Sequence, residues 1–101
     1  MTTALAIFGY NRPEHLRKCL EAVSRNKPIT TFIFLDGGYT DDVLRATSSF
    51  QMRTFPYLLI PRLQHLGCAN SIYNGIDYVL ADYDSIIVVE DDIIVADNFI
   101  E

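Results

Sequence analysis

The stretch Ala-Leu-Ala-Ile-Phe-Gly at residues 4–9 decides the fold class of this 101-residue chain. Six successive residues without a polar side chain are typical of a parallel β-strand that is buried on both faces. The run stops at Gly9, and Asn11-Arg12-Pro13 then provides a cap and a proline for the first turn of a helix. These residues predict a buried strand followed directly by an α-helix.

The same alternation continues along the chain. Residues 31–35 and 85–89 are predicted as further buried strands, and Thr54–Ile60 is predicted as a strand that contains Pro56. Apolar residues recur at helical spacing between the strands. They are Leu16, Cys19, Leu20 and Val23 in one helix, and Ala69, Ile72, Tyr73, Ile76, Val79 and Leu80 in another, with a short helix capped by Thr40-Asp41-Asp42 between the second and third strands.

This order predicts an α/β fold, a Rossmann-like parallel sheet with right-handed crossovers and helices on both faces. A proline removes a donor from the hydrogen-bond ladder, so the strand with Pro56 is expected at a sheet edge, which gives the strand order 3-2-1-4. Gly75 lies inside the last long helix, where glycine costs about 1 kcal/mol relative to alanine. We therefore expect the backbone to pack closely against a neighbour at Gly75.

The composition limits the classes of protein. Half of the residues are hydrophobic and the net charge is −5, which favours a single globular domain and argues against a nucleic-acid partner. No apolar run approaches the roughly 20 residues that a transmembrane helix needs, and no signal peptide is visible. We expect a cytoplasmic protein in which Cys19 and Cys68 are reduced, packed thiols.

The last residues predict further structure. Ile93-Ile94-Val95 is another apolar run, and Asp97-Asn98-Phe99-Ile100 resembles the opening of a helix. We expect residues 1–101 to be the front portion of a larger domain, truncated after Glu101. An apolar sheet edge left uncovered near the fourth strand would favour association into a homo-oligomer.

Polar residues collect where the predicted strands end. Residues 10–12, 36–38 and 90–92 follow three strands, and His65-Leu66-Gly67 precedes the last long helix. Ligands of open α/β sheets bind beyond the carboxyl ends of the strands, near the point where the strand order reverses. We therefore expect these four segments to form one binding site.

Glu90-Asp91-Asp92 places three carboxylates in succession at the end of a buried strand. Carboxylate oxygens suit Mg²⁺ or Mn²⁺, which commonly share their coordination shell with substrate phosphates. A solvated acidic turn is the alternative, but the position at a buried strand end favours a metal site.

The other candidates each have a structural alternative. Asp36 and Gly37 suit the ribose or base of a nucleotide, but Asp-Gly is also common in plain turns. Arg12 suits a phosphate, and a solvated arginine is the alternative. His65 suits a base or a structural role. Asn70 and Asn74 are one helical turn apart and suit either the site or the solvated surface.

Taken in order, these motifs resemble the nucleotide-binding half of a GT-A type glycosyltransferase. The resemblance is to family 2-like enzymes and to the N-acetylglucosaminyltransferase I group, which has Glu-Asp-Asp as its variant of the Asp-x-Asp motif. It covers nearly all of the chain. The motifs are Tyr-Asn-Arg-Pro-Glu-His-Leu-Arg-Lys-Cys-Leu at residues 10–20, Phe-Leu-Asp-Gly-Gly at 34–38, the segment from His65 to Ile76, and the segment from Val88 to Phe99.

The resemblance implies a role for each site residue. Asp92 would ligate Mn²⁺ or Mg²⁺ at the nucleotide diphosphate, and Glu90 and Asp91 would contact the ribose and the donor sugar or metal-bound water. Asp36 would meet the uracil or ribose, with His65 near the base. Tyr10, Asn11 and Arg12 would line the nucleotide pocket. Two departures are His65, where many relatives have Asn, and Asp97, where many have Pro.

The predicted function is therefore transfer of a sugar from a nucleoside diphosphate donor, expected to be a UDP-sugar, to an acceptor hydroxyl. The resemblance suggests inversion, with a general base located after Glu101. Two alternatives are a non-catalytic nucleotide-binding or assembly module of the same fold and a phosphoacceptor receiver domain. The receiver domain would need paired acids after the first strand, where this chain has Tyr10-Asn11-Arg12.

Overall fold

The computed structural model describes residues 2–26, 29–48, 57–96 and 99. Strands and helices alternate along these residues, as the hydrophobic pattern predicts. The elements in chain order are β1 (Thr3–Gly9), α1 (Pro13–Ser24), β2 (Thr31–Leu35), α2 (Asp41–Ser48), β3 (Tyr57–Pro61), α3 (Cys68–Leu80) and β4 (Ser85–Glu90).

The four strands form one parallel sheet with the order β3-β2-β1-β4, which confirms the predicted topology. β1 lies between β2 and β4, and Phe8 is in register with Phe34 on one side and with Glu90 on the other. Because all strands are parallel, β1, β2 and β4 end at the same edge of the sheet. The polar residues that follow them are therefore brought together.

Two hydrophobic cores cover the two faces of the sheet, which confirms helices on both sides. α1 and α2 pack on one face, where Leu20 and Val43 belong to the same hydrophobic core as Leu5 and Ile33 of the sheet. α3 packs on the other face, where Val79 belongs to a core with Phe8 and other residues of β1 and β2. The continuous apolar run of β1 is explained by this arrangement, since both of its faces are buried.

Gly75 confirms the expected close packing of α3. A Cβ atom at this position would lie 2.5 Å from Cε1 of Phe8, well inside van der Waals contact. The Phe8 ring is itself stacked on Phe34, with ring centroids 5.0 Å apart. Glycine is therefore required for the helix to rest on the aromatic pair.

Three local predictions differ from the structure. The third strand occupies the expected edge but runs from Tyr57 to Pro61, and residues 54–56 lie outside the described residues. The N-cap of α1 is Arg12, which makes no side-chain capping bond, so Asn11 does not cap the helix; the helix start is instead favoured by Pro13. Cys19 is packed as expected, but Cys68 is exposed, because it is the first residue of α3 and precedes the buried stripe of that helix.

Residues 93–96 continue past β4 and are held to the α1 face of the sheet. Val95 is buried in the core with α1, and the Asn26 side-chain amide donates to the Ala96 carbonyl at 3.0 Å. Of the predicted helix opening at residues 97–100, only Phe99 is described, and it is exposed. No helix in the described part of the chain is long and apolar enough to cross a membrane.

Candidate functional site

A cleft of about 230 Å³ lies at the carboxyl end of the sheet. It brings together eight of the ten residues that the sequence analysis assigned to the site. Gly37 and Asn70 do not line it. The eight are Tyr10, Asn11, Arg12, Asp36, His65, Glu90, Asp91 and Asp92.

The backbone hydrogen bonds of the sheet continue one residue beyond the strand ends and thereby position the site. The amide of Asp36 donates to the Gly9 carbonyl at 3.0 Å, and the amide of Asp91 donates to the Phe8 carbonyl at 3.0 Å. The loops after β2 and β4 are therefore fixed on either side of the residues that follow β1. This is the point at which the strand order reverses, as predicted.

Asp36 is buried, with 4% of its surface exposed. Its Oδ1 accepts hydrogen bonds from the amides of Leu66 at 2.8 Å and Gly37 at 3.0 Å, and its Oδ2 accepts from the amide of Gly67 at 3.0 Å. His65 Nδ1 also lies 2.8 Å from Oδ2. The carboxylate thus ties the end of β2 to the loop that begins α3.

Gly37 packs against that loop. Its amide donates to the Gln64 carbonyl at 3.2 Å. A Cβ atom at Gly37 would lie 2.1 Å from the carbonyl carbon of Gln64, so no side chain fits there. The glycine therefore permits a close approach of two backbone segments, and that approach accounts for its place in the sequence without a ligand.

Tyr10 and His65 form an aromatic wall of the cleft. Their ring centroids are 4.8 Å apart with an interplanar angle of 36°. Gly38, with φ +91°, lies close to the hydroxyl end of the tyrosine, where an added Cβ atom would be 3.2 Å from the Tyr10 hydroxyl. The Tyr10 side chain therefore contacts His65 and Gly38 in the wall of the cleft, and an aromatic ring there is suited to stacking with a planar ligand group.

The acidic side of the cleft is partly desolvated. Burial raises the pKa of the Asp91 carboxyl above its usual value; the Arg12 guanidinium opposes this rise, and the charge of Asp92 adds to it. Glu90 Oε1 accepts a hydrogen bond from the Cys68 thiol at 3.4 Å. Asp92 is exposed at this side of the cleft.

Comparison with known proteins identifies the family of the chain. The family profile described as glycosyl transferase family 2 matches residues 5–101. The chain belongs to glycosyl transferase family 2. A comparison with curated proteins found no match. Membership of the family implies a glycosyltransferase function, with a nucleotide-sugar donor and an acceptor, and accords with the Rossmann-like sheet.

The donor atoms in the cleft of this family 2 chain fit a hard divalent cation. The acidic side of the cleft offers the carboxylate oxygens of Glu90, Asp91 and Asp92, and burial raises the pKa of Asp91 above its usual value. Within the described ranges, however, no three His, Cys, Asp or Glu side chains form a ready cation cage. Mg²⁺ commonly takes only one or two protein carboxylates and completes its shell with phosphates and water, which is the arrangement that this side of the cleft allows.

Several lining residues were not predicted from the sequence. Phe8, Cys68, Ser71 and Ile72 also face the cleft of the family 2 chain. The last three lie in the first turns of α3. Ile72 was assigned to the apolar stripe of that helix, Cys68 was expected to be a packed thiol, and Ser71 was not singled out. Asn70 lies in the same turns but is exposed outside the cleft lining, and Asn74 accepts a hydrogen bond from Arg62 NH1 at 2.6 Å.

Proposed function

We propose that the cleft binds a nucleoside diphosphate sugar together with Mn²⁺ or Mg²⁺, and that the enzyme transfers the sugar to an acceptor hydroxyl with inversion. The observation that carries this proposal is the convergence of three strand ends on one cleft. The aromatic wall of Tyr10 and His65 lies beside Asp36, and a carboxylate cluster follows β4. In a family 2 chain this arrangement suits a donor that has a flat base at one end and a diphosphate at the other.

Charge complementarity supports the cation. The chain has a net charge of −5, and the diphosphate is also an anion. Arg12 is the cleft residue with a permanent positive charge, and its charge already stabilises the Asp91 carboxylate. A divalent cation held by Asp92 would offset the remaining repulsion and, when bound, would stabilise negative charge on the leaving diphosphate.

The remaining residues bind and orient the donor. Tyr10 offers a ring face to the base, Asn11 offers an amide at the mouth of the cleft, and Glu90 and Asp91 offer acceptors to the hydroxyl groups of the ribose and the sugar. Inversion also needs a general base that takes the acceptor proton. No residue of this cleft is assigned to that step.

Calorimetry with UDP tests the metal-assisted binding. We expect UDP to bind in the presence of Mn²⁺ and to lose at least about tenfold in affinity with excess chelator, because the uncompensated phosphate charge then faces the carboxylates. Asp92→Asn should weaken the Mn²⁺-dependent binding most. Asp82→Asn is a matched control, because Asp82 is exposed near the start of β4, at the opposite end of the sheet. Equal affinity with Mn²⁺ and with chelator would contradict the proposal.

A further inference from the structure

Arg62 connects the end of β3 to α3. It directly follows β3, and its backbone amide donates to the Leu35 carbonyl at 2.9 Å, so the sheet fixes the position of its backbone. Its side chain reaches α3, where Nη1 donates to Asn74 Oδ1 at 2.6 Å and Nη2 donates to the Ser71 carbonyl at 3.3 Å. One arginine therefore joins the edge strand of the sheet to a single turn of the helix.

The guanidinium also lies against the aromatic pair on which α3 rests. Its central carbon is 5.1 Å from the centroid of the Phe34 ring, a distance at which a cation is attracted to the face of a ring. Phe34 is stacked in turn on Phe8. Because β2 lies between β3 and β1, the guanidinium and Phe8 approach Phe34 from its two sides. Three planar groups thus lead from the end of β3 to Phe8, which lines the cleft.

This position leaves one donor of Arg62 unsatisfied. Nε is buried and has no hydrogen-bond partner in the part of the chain that the structure describes. An arginine extended into water would satisfy all of its N–H groups, whereas a buried unpaired donor costs free energy. The contacts with Phe34 and α3, rather than solvation, therefore determine where the guanidinium lies.

The turn of α3 that Arg62 holds is part of the cleft wall. Ser71 is buried, with 5% of its surface exposed, and both Ser71 and Ile72 line the cleft. Among the described residues, Arg62 and its partner Asn74 do not belong to the cleft lining. A change at Arg62 therefore reaches the cleft through the position of α3 and of the aromatic pair.

We propose that Arg62 is a positioning residue of the cleft, which holds the Ser71 turn of α3 on the Phe34–Phe8 pair and does not touch the ligand. This inference rests on the proposed function, because it concerns the same donor site. The role needs the two donors and the planar face of a guanidinium, which lysine does not supply together. It also accounts for Asn74 as a partner of Arg62 rather than as a ligand contact.

Calorimetry with UDP and Mn²⁺ tests the effect on the cleft. We expect Arg62→Met, which keeps an apolar stem, to raise the dissociation constant of UDP by about fivefold to tenfold, since the wall loses its supporting hydrogen bonds. Arg62→Lys should recover part of this loss. Arg17→Met is the matched control, because Arg17 also forms two side-chain hydrogen bonds, to Glu14 and Glu21, but lies on α1 at the opposite face of the sheet. It removes the same charge and should leave the affinity unchanged.

Amide hydrogen exchange in the free protein reports the position of α3 without a nucleotide. In Arg62→Met, the amides of residues 71–75 should exchange about tenfold faster, because opening of this turn is no longer opposed by the bond to the Ser71 carbonyl. The amides of α1 should keep their rates. Equal acceleration in both helices would indicate a global loss of stability and would contradict a local role for Arg62.

Asn74→Ala removes one partner of Arg62 at an exposed position and tests the proposal if Arg62→Met does not fold. It should weaken UDP binding by about twofold to fourfold, with little further effect in an Arg62→Met background. Unchanged UDP affinity in both single variants would overturn the positioning role and leave the proposed function intact. If UDP does not bind the wild-type protein with Mn²⁺, the proposed function is wrong, and the role of Arg62 in the cleft is wrong with it.

Discussion

At the scale of single residues, the two cysteines show how the acidic strand end affects its surroundings. Cys19 is fully buried on α1, and its thiol lies 3.7 Å from the Glu90 carbonyl oxygen. Burial raises the pKa of Cys19 to about 12, and the charges of Asp91 and Asp92 add to the rise. Cys68 is exposed and also faces Glu90, so the same acidic segment contacts one buried and one accessible thiol.

The raised pKa of Cys19 predicts a loss of stability in alkali. The folded protein keeps the thiol neutral, whereas the unfolded chain ionises it near its ordinary pKa of about 8.5. The contribution of the neutral Cys19 thiol to the free energy of unfolding is therefore complete below that pH. It is lost as the pH rises towards the pKa of the folded state, at up to about 1.4 kcal/mol per pH unit. Urea unfolding at pH 8, 9.5 and 10.5 should show a shallower decline for Cys19→Ala than for the wild type. Parallel declines would contradict this.

At the scale of elements, the position of α3 depends on one glycine. Gly75 allows its backbone to rest on Phe8, and Phe8 is stacked on Phe34 in the neighbouring strand. α3 also supplies three residues of the cleft wall. A shift of α3 on the sheet would therefore also change the shape of the cleft.

Gly75→Ala should destabilise the protein. Overpacking against the Phe8 ring costs about 1–3 kcal/mol, and the better helix propensity of alanine returns about 1 kcal/mol of this. We expect a net loss of up to about 2 kcal/mol in thermal or urea unfolding. Asp77→Ala, at an exposed position of the same helix, is the control and should be neutral or slightly stabilising. A Gly75→Ala variant as stable as the Asp77→Ala variant would show that α3 can shift without cost.

The elements were predictable because their signals are local. Continuous apolar runs gave β1, β2 and β4, and helical spacing gave α3 almost to the residue. The convergence of eight site residues followed from the parallel topology alone. The contacts between residues 65–67 and the Asp36 carboxylate could not be predicted. They join segments about 30 residues apart and depend on side-chain geometry. The exposure of Cys68 was not predicted for a related reason. Hydrophobic periodicity does not show at which residue of a helix the packing against the sheet begins.

At the scale of the whole molecule, 13 acidic side chains outnumber 8 basic ones. Diffuse repulsion among them is screened by any salt, whereas a site in the cleft responds to a particular ion. These two effects can be separated by comparing NaCl and MnCl₂ at equal ionic strength.

We expect Mn²⁺ to raise the melting temperature more than NaCl does at matched ionic strength. A ligand at ten times its dissociation constant stabilises the folded state by about 1.4 kcal/mol. Asp92→Asn should abolish the additional increase and leave the response to NaCl intact. If the two salts have equal effects on the wild type, the acidic residues act only as a diffuse charge.

The central place of β1 has a consequence for synthesis on the ribosome. β1 emerges before β4, with which one of its two edges pairs, and Thr3 and Ser85 are 82 residues apart. At translation rates of 5–20 residues per second, that edge waits on the order of 4–16 s for its partner. An unpaired apolar strand is prone to associate with other chains during such an interval. The cleft is subject to the same delay, because residues 10–12 face residues 90–92, so nascent chains should acquire nucleotide affinity only after β4 has emerged.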